Sequence, residues 1–314
     1  MPHVTPQGEH SPACAVYGVP GCDSAPERWS TPQPSLHGHA RELCSVDTDE
    51  EVVPAAAHPW EKPLLALCVA VSVGLLAMAL RLVWSVSGSV SGSVPWTALA
   101  LFTAPLTCWT VRGLRYARER AESVRISPTQ FPEAYRMVVS LSAEMGLARA
   151  PEAYVRLGPV SARADAAAHG LRRYLVLPDA LFDGGGRLRD PNALAFLIAH
   201  QIGHVAAGHT GYWRRVATIG AELVPGLGAA LSRAAEYTAD NHAHAHLPEG
   251  AHAVRLFAGG PNLYTRVNMG EMAARARTDR GGSLLLYHLL SRRPSSTRRM
   301  AALRDRTRRG RVFL

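Results

Sequence analysis

Hydrophobic and polar positions divide this chain into three regimes. Residues 1 to 61 hold no sustained apolar period and are rich in proline, which predicts a disordered tail without a catalytic role. Two continuous apolar stretches follow, Leu64 to Leu80 (running on past Arg81 to Trp84) and Val94 to Val111. Each is about long enough to cross roughly 30 Å of hydrocarbon. Ser85 to Ser93 between them is a Ser/Gly/Val repeat suited to a short loop. Trp60, Trp84, Trp96 and Trp109 fall near the four ends, where amphipathic rings favour a membrane interface. The pattern predicts a two-helix transmembrane hairpin over residues 62 to 112, with spans at about 64–84 and 94–111. A buried helical hairpin in a soluble protein is the alternative.

From residue 113 the pattern becomes periodic. A helix start at Ser127-Pro128-Thr129-Gln130 precedes an apolar face of Tyr135, Val138, Val139 and Leu141 to Met145. Short strands fit Ala153 to Leu157 and Arg173 to Leu177. Asp183-Gly184-Gly185-Gly186 breaks the chain before a long helix from about Pro191 or Asn192 to Gly208. Residues 216 to 232 are apolar but contain Glu222, Pro225 and glycines, so they read as a bent core helix or a membrane-leaning segment. Ser232 to Asp240 reads as a further helix. The body, residues 113 to 314, is therefore expected to be α+β and mainly helical.

Charge adds an orientation. Residues 1 to 61 carry Arg28 and Arg41 against nine acids, net −7, so the remainder carries +16 of the total +9. Arg112, Arg115, Arg118, Arg120 and Arg125 follow the second span directly, which by the positive-inside rule puts the body in the cytoplasm. The expectation is a multi-pass protein of the cell membrane whose partner is the lipid bilayer. Arg81 must then snorkel to the far interface. Cys14, Cys22, Cys44, Cys68 and Cys108 form no C-x-x-C pair and none follows Cys108, which argues against a disulfide framework or a thiolate metal site. Seven arginines lie between Arg298 and Arg311. On a membrane-tethered body they suit anionic lipid better than nucleic acid, and no nucleic-acid partner is expected.

The candidate chemistry lies in the long helix. His200 and His204, four residues apart, lie one above the other on a helix and can converge on one ion. Gln201 follows the first histidine, where H-E-x-x-H metallopeptidases carry the Glu that takes a proton from metal-bound water. Its neutral amide has no basic lone pair at physiological pH. Glu236 and Asp240 share a face of the next helix, and the 32 residues from His204 to Glu236 let that helix return to the first. Zinc prefers four ligands, three of them protein groups at a catalytic site. His200, His204 and Glu236 make that set for one zinc ion, with Asp240 placed to hold a ligating imidazole by its other nitrogen. His209 stands near but not at a metzincin's third ligand position. Of His242, His244 and His246, only the outer two share a helical face.

Ala199-His200-Gln201-Ile202-Gly203-His204 with Gly208-His209-Thr210 resembles the A-H-E-[LI]-G-H and G-H-T of the membrane-anchored gluzincin endopeptidases that include HtpX and the CAAX prenyl protease. Arg233 to Asp240 is similar to their R-x-x-E-[FY]-x-A-D, in which Glu is the third zinc ligand. The resemblance covers about residues 120 to 305 and implies a zincin-like metallopeptidase domain behind a membrane hairpin. Asp165-Ala166-Ala167-Ala168-His169-Gly170 resembles N-A-F-A-x-G, a substrate-binding segment, with Asp165 and Ala167 replacing Asn and Phe. Arg293-Pro294 and Arg299-Met300-Ala301-Ala302-Leu303 are similar to H-P and R-I-x-x-L, with Arg293 in place of a site histidine. Departures at Gln201, Ala167 and Arg293 imply a zinc-binding homologue with absent or weak proteolytic activity. A positioned general base contributes about 10²–10⁴ in rate. The alternatives are an active endopeptidase of membrane or cytosolic proteins with another base, and a non-catalytic structural or binding protein.

Overall fold

A computed structural model describes residues 56–87, 96–158, 164–182, 189–307 and 309–313. The expected disordered tail falls outside these residues up to position 55, but its last six are part of the fold. His58 and Glu61 are buried, and the His58 amide donates to Thr238 Oγ1 at 2.9 Å. Residues 56–61 are therefore ordered, because hydrogen bonds to distant residues fix the backbone ahead of the first helix.

Two long helices follow, α1 (Glu61–Ser87) and α2 (Trp96–Glu122), and they touch each other. Among the described residues one segment, Glu61–Ser85, is long and apolar enough to cross a membrane, and little of it is buried. Leu67, Val73, Met78, Leu82 and Trp84 leave it widely exposed. The expected pair of spans is thus met by one helix. Helix α2 has the length but not the apolarity: Thr97, Thr103, Thr107, Thr110 and Pro105 dilute it, and Arg112 begins a charged second half.

That second half belongs to the body, so the boundary drawn at residue 112 cuts a continuous helix. A four-stranded sheet is ordered β1-β2-β4-β3, from β1 (Val124–Arg125), β2 (Glu152–Arg156), β3 (Asp165–His169) and β4 (Arg172–Pro178). β2 and β4 are parallel, and the β1–β2 and β3–β4 pairs are antiparallel. Side chains alternate across such a sheet. Tyr154, Tyr174 and Val176 meet Tyr116 of α2 on one face. Arg156 Nε donates to Glu119 Oε2 at 2.9 Å, and Arg112 donates to the carbonyls of Ala168 and, at 2.7 Å, Thr210.

The opposite face supplies Ala153, Val155, Leu175 and Leu177 to the main core. Against it lie α3 (Pro132–Glu144), through Ala134, Val138 and Leu141, and α4 (Pro191–Ala206), through Leu194, Phe196, Ile198, Ile202 and Val205. Beyond α4 come α5 (Tyr212–Ala217), a 3-10 segment at Ile219–Leu223 beside α1, and α6 (Leu227–His246). A 3-10 segment at Pro248–Arg255, α7 (Leu256–Leu263), α8 (Met269–Thr278), α9 (Gly282–Leu290) and α10 (Ser296–Arg304) follow. The α+β, mainly helical expectation holds. The apolar run 216–232 is a short helix, a 3-10 turn and a helix start, broken where Gly226 takes φ 81°.

Helices α4 and α6 cross closely because Gly203 has no side chain. A Cβ there would lie 2.9 Å from His242 Cβ and 3.3 Å from the Ala239 carbonyl oxygen. Gly203→Ala is expected to lower stability by about 1–3 kcal/mol despite its better helix propensity. Thermal denaturation of the solubilised chain checks this, and an unchanged or raised midpoint would contradict the close crossing.

Candidate metal centre

Helix α4 is built to hold its histidines still. Asp190 caps it, Oδ1 accepting from the Ala193 amide at 3.0 Å, and Pro191 takes the first turn, where its missing N–H costs nothing. Gly208 ends the segment at φ 73°. With Ile198, Ile202 and Val205 in the main core, His200 and His204 face α6. The small residues Ala229, Ala230, Ala234, Ala235 and Ala239 let that helix approach.

Glu236 comes from α6 to meet them. His200 Nε2 is 3.5 Å from Glu236 Oε2, and His204 Nε2 is 3.8 Å from Oε1. One donor atom from each of His200, His204 and Glu236 lies within 4.8 Å of the others, the one such group of three among the described residues. This buried group could hold a metal ion. Ligand atoms about 2.0–2.1 Å from a tetrahedral ion stand roughly 3.4 Å apart, so the two His–Glu236 separations of 3.5 and 3.8 Å are close to those of a bound set.

Behind the ligands lies an ionic layer. Asp240 Oδ1 is 2.9 Å from His200 Nδ1, at contact distance but off the line of a straight hydrogen bond. Arg299 of α10 grips Asp240 with two donors, Nε at 2.9 Å and Nη2 at 2.5 Å, and lies over the Phe257 ring at 4.3 Å. Its Nη1 is 3.7 Å from Glu236 Oε2.

Electrostatics follow from this packing. Burial pushes the Glu236 carboxyl up, but the His200 hydrogen bond and the surrounding positive groups outweigh it and hold it well below the usual carboxylate range. Asp240 is lowered in the same way, with Arg299 overcoming burial. Burial, followed by the charge of His200, keeps His204 well below the usual imidazole range, leaving it a neutral nitrogen donor. His200 is raised, because Asp240 and Glu236 more than offset its burial.

A cavity of about 210 Å³ opens over the group, lined among others by Asp165, Ala166, Gln201, Thr210 and Arg293. Gln201 is 4% exposed and forms part of this wall. Arg293 Nε lies 3.4 Å from Glu236 Oε1 and its Nη2 3.9 Å from Asp165 Oδ1. Asp165 and Ala166 begin β3, which is the edge strand of the sheet among the described residues. Ala167 is not brought into the cavity. It packs against the tyrosines on the other sheet face, since its partner across β4 is Tyr174. Glu222 does not itself line the cavity: it pairs at 2.8 Å with Arg215, which does, and with Arg292.

Three participants, Arg299, His209 and Glu61, receive no role at the site from the sequence, although the first two stand in its motif matches. Arg299 belongs to the basic C-terminal run expected to face lipid, yet it is buried, Arg298 donates to the Phe313 carbonyl at 3.0 Å and Arg306 to Asn241 Oδ1 at 3.0 Å. Helical phase could have flagged Arg299, three and four residues before the buried Ala302 and Leu303. His209 Nδ1 is 2.8 Å from His204 Nδ1, and its Nε2 is 2.8 Å from Glu61 Oε1. No periodicity joins Glu61 to a residue 148 positions away.

Arg299→Met should leave Asp240 buried with its main cation gone. The expected loss is about 3–5 kcal/mol, read by urea unfolding of the metal-free chain. A change under about 1 kcal/mol would mean that the Arg299–Asp240 pair does not secure α10 to α6.

Comparison with known proteins returned no relative: no protein-family profile matches the chain, and no curated protein and no solved structure is significantly similar to it.

Proposed function

We propose that this chain is a membrane-anchored, zinc-binding homologue of the HtpX-type gluzincin endopeptidases in which proteolysis is absent or weak. The observation that carries the reading is the convergence of His200, His204 and Glu236 beside a cavity whose wall has Gln201 where a general base would stand. Two imidazoles and a carboxylate are a donor set suited to zinc, and no cysteine lines the cavity among the described residues. When bound, zinc supplies Lewis acidity that polarises a carbonyl oxygen and lowers the pKa of water. Gln201 orients a hydrogen-bonding partner through its amide but takes no proton. Arg293 offers positive charge at the cavity wall, and the start of the edge strand β3, at Asp165 and Ala166, suits an extended peptide adding as a strand. The apolar surface of α1 supports a bilayer anchor, and Arg112 to Arg125 support a cytoplasmic body.

A second reading, a working endopeptidase, has one observation in its favour. Asp165 is the other carboxylate lining the cavity, and its side chain is 63% exposed. If Asp165 serves as the base, Asp165→Asn abolishes hydrolysis and leaves zinc content intact.

The purified full chain is expected to carry one equivalent of zinc by elemental analysis, lost in His200→Ala, and to leave casein uncut. Gln201→Glu should raise any cleavage by about 10²–10⁴-fold. A wild-type chain without zinc contradicts the ligand assignment, and brisk wild-type cleavage that needs His200 contradicts the inactivity.

A further inference from the structure

The end of the membrane helix reaches the metal centre. Glu61, the first residue of α1, is buried among groups from three other parts of the chain. Its Oε1 lies 2.8 Å from His209 Nε2 and accepts from Arg214 Nη2 at 3.0 Å, while Oε2 accepts from Thr238 Oγ1 at 2.5 Å. The other ring nitrogen of His209, Nδ1, is 2.8 Å from Nδ1 of His204.

Proton counting along this line leaves one consistent neutral arrangement. An ionised carboxylate only accepts, so the proton between Glu61 and His209 belongs to His209 Nε2. A neutral His209 then has a lone pair on Nδ1, and the proton between the two Nδ1 atoms belongs to His204. A neutral imidazole carrying its proton on Nδ1 has a bare Nε2, and that is the atom 3.8 Å from Glu236. Arg214 Nη2, 3.0 Å from the same Glu61 oxygen, holds the carboxylate in place against His209.

We propose that Glu61 and His209 are positioning residues of the metal centre: they fix His204 as the Nδ1–H tautomer and aim its Nε2 at the ligand position. Asp240 stands in the equivalent place behind His200 Nδ1, so each histidine is backed by its own carboxylate, directly for His200 and through His209 for His204. The membrane helix is thereby part of the site rather than a tether to it. A body lacking residues 56 to 61 would lose the carboxylate that sets one ligand. The inference rests on the zinc reading for its consequence but not for its geometry.

The test uses the full chain in detergent and has two arms. Ring-nitrogen NMR of the metal-free protein, with His204 assigned by substitution, should show a protonated Nδ1 and a bare Nε2. A proton on Nε2 overturns the proposal. Zinc affinity by chelator competition should fall about 10–100-fold in Glu61→Ala and recover largely in Glu61→Gln, whose amide oxygen still accepts from His209. Affinity within twofold of wild type in Glu61→Ala overturns it. So does equal loss in both variants, which would mean that the charge of Glu61 matters and its acceptor role does not. If wild type binds no zinc, the zinc reading fails by itself, and the tautomer measured in the first arm still decides whether Glu61 and His209 set His204.

Discussion

The close crossing of α4 and α6 is the constraint on which the rest depends. It brings His200 and His204 from one helix against Glu236 and Asp240 from the other, all in surroundings with little water. Removing such groups from water costs several kcal/mol for each ion unless partners satisfy them. Arg299 is therefore as necessary to this cluster as its carboxylates, since it neutralises Asp240 and leans on Glu236. The crossing needs Gly203, the small face of α6 and the arginine of α10 together.

This layering explains why the centre draws on the whole chain. The sheet orients α4 from below, α10 closes the network from the side, and the base of α1 reaches His204 through His209. Glu61 and Thr238 join the first residue of the apolar helix to the helix that carries Glu236. A protein that only needed an anchor would have no use for a buried carboxylate at that position. The geometry ties the start of the apolar helix to the integrity of the site.

Much of this arrangement is legible in the sequence. Spacing alone put His200 over His204 and Glu236 over Asp240, because helical periodicity is a local property. Strands β2 and β4 declared themselves through Tyr154, Val155, Tyr174 and Val176, whereas β3, with three consecutive alanines, has almost no strand signal and exists through pairing with β4. The second apolar run has the length of a span in the sequence, but its helix continues without a break into the charged stretch from Arg112 to Glu122. Arg299 hid in a basic run whose composition suggested a lipid-facing surface. Glu61 hid at the end of a tail, because contacts across 148 residues leave no trace in local pattern.

The central claim is that two imidazoles and one carboxylate of this chain hold a single zinc ion. X-ray absorption at the zinc edge of the purified full chain tests it most directly. The account predicts nitrogen and oxygen scatterers at about 2.0–2.2 Å with outer-shell scattering from two imidazole rings. A sulfur shell at about 2.3 Å, a single imidazole or no retained zinc would contradict it.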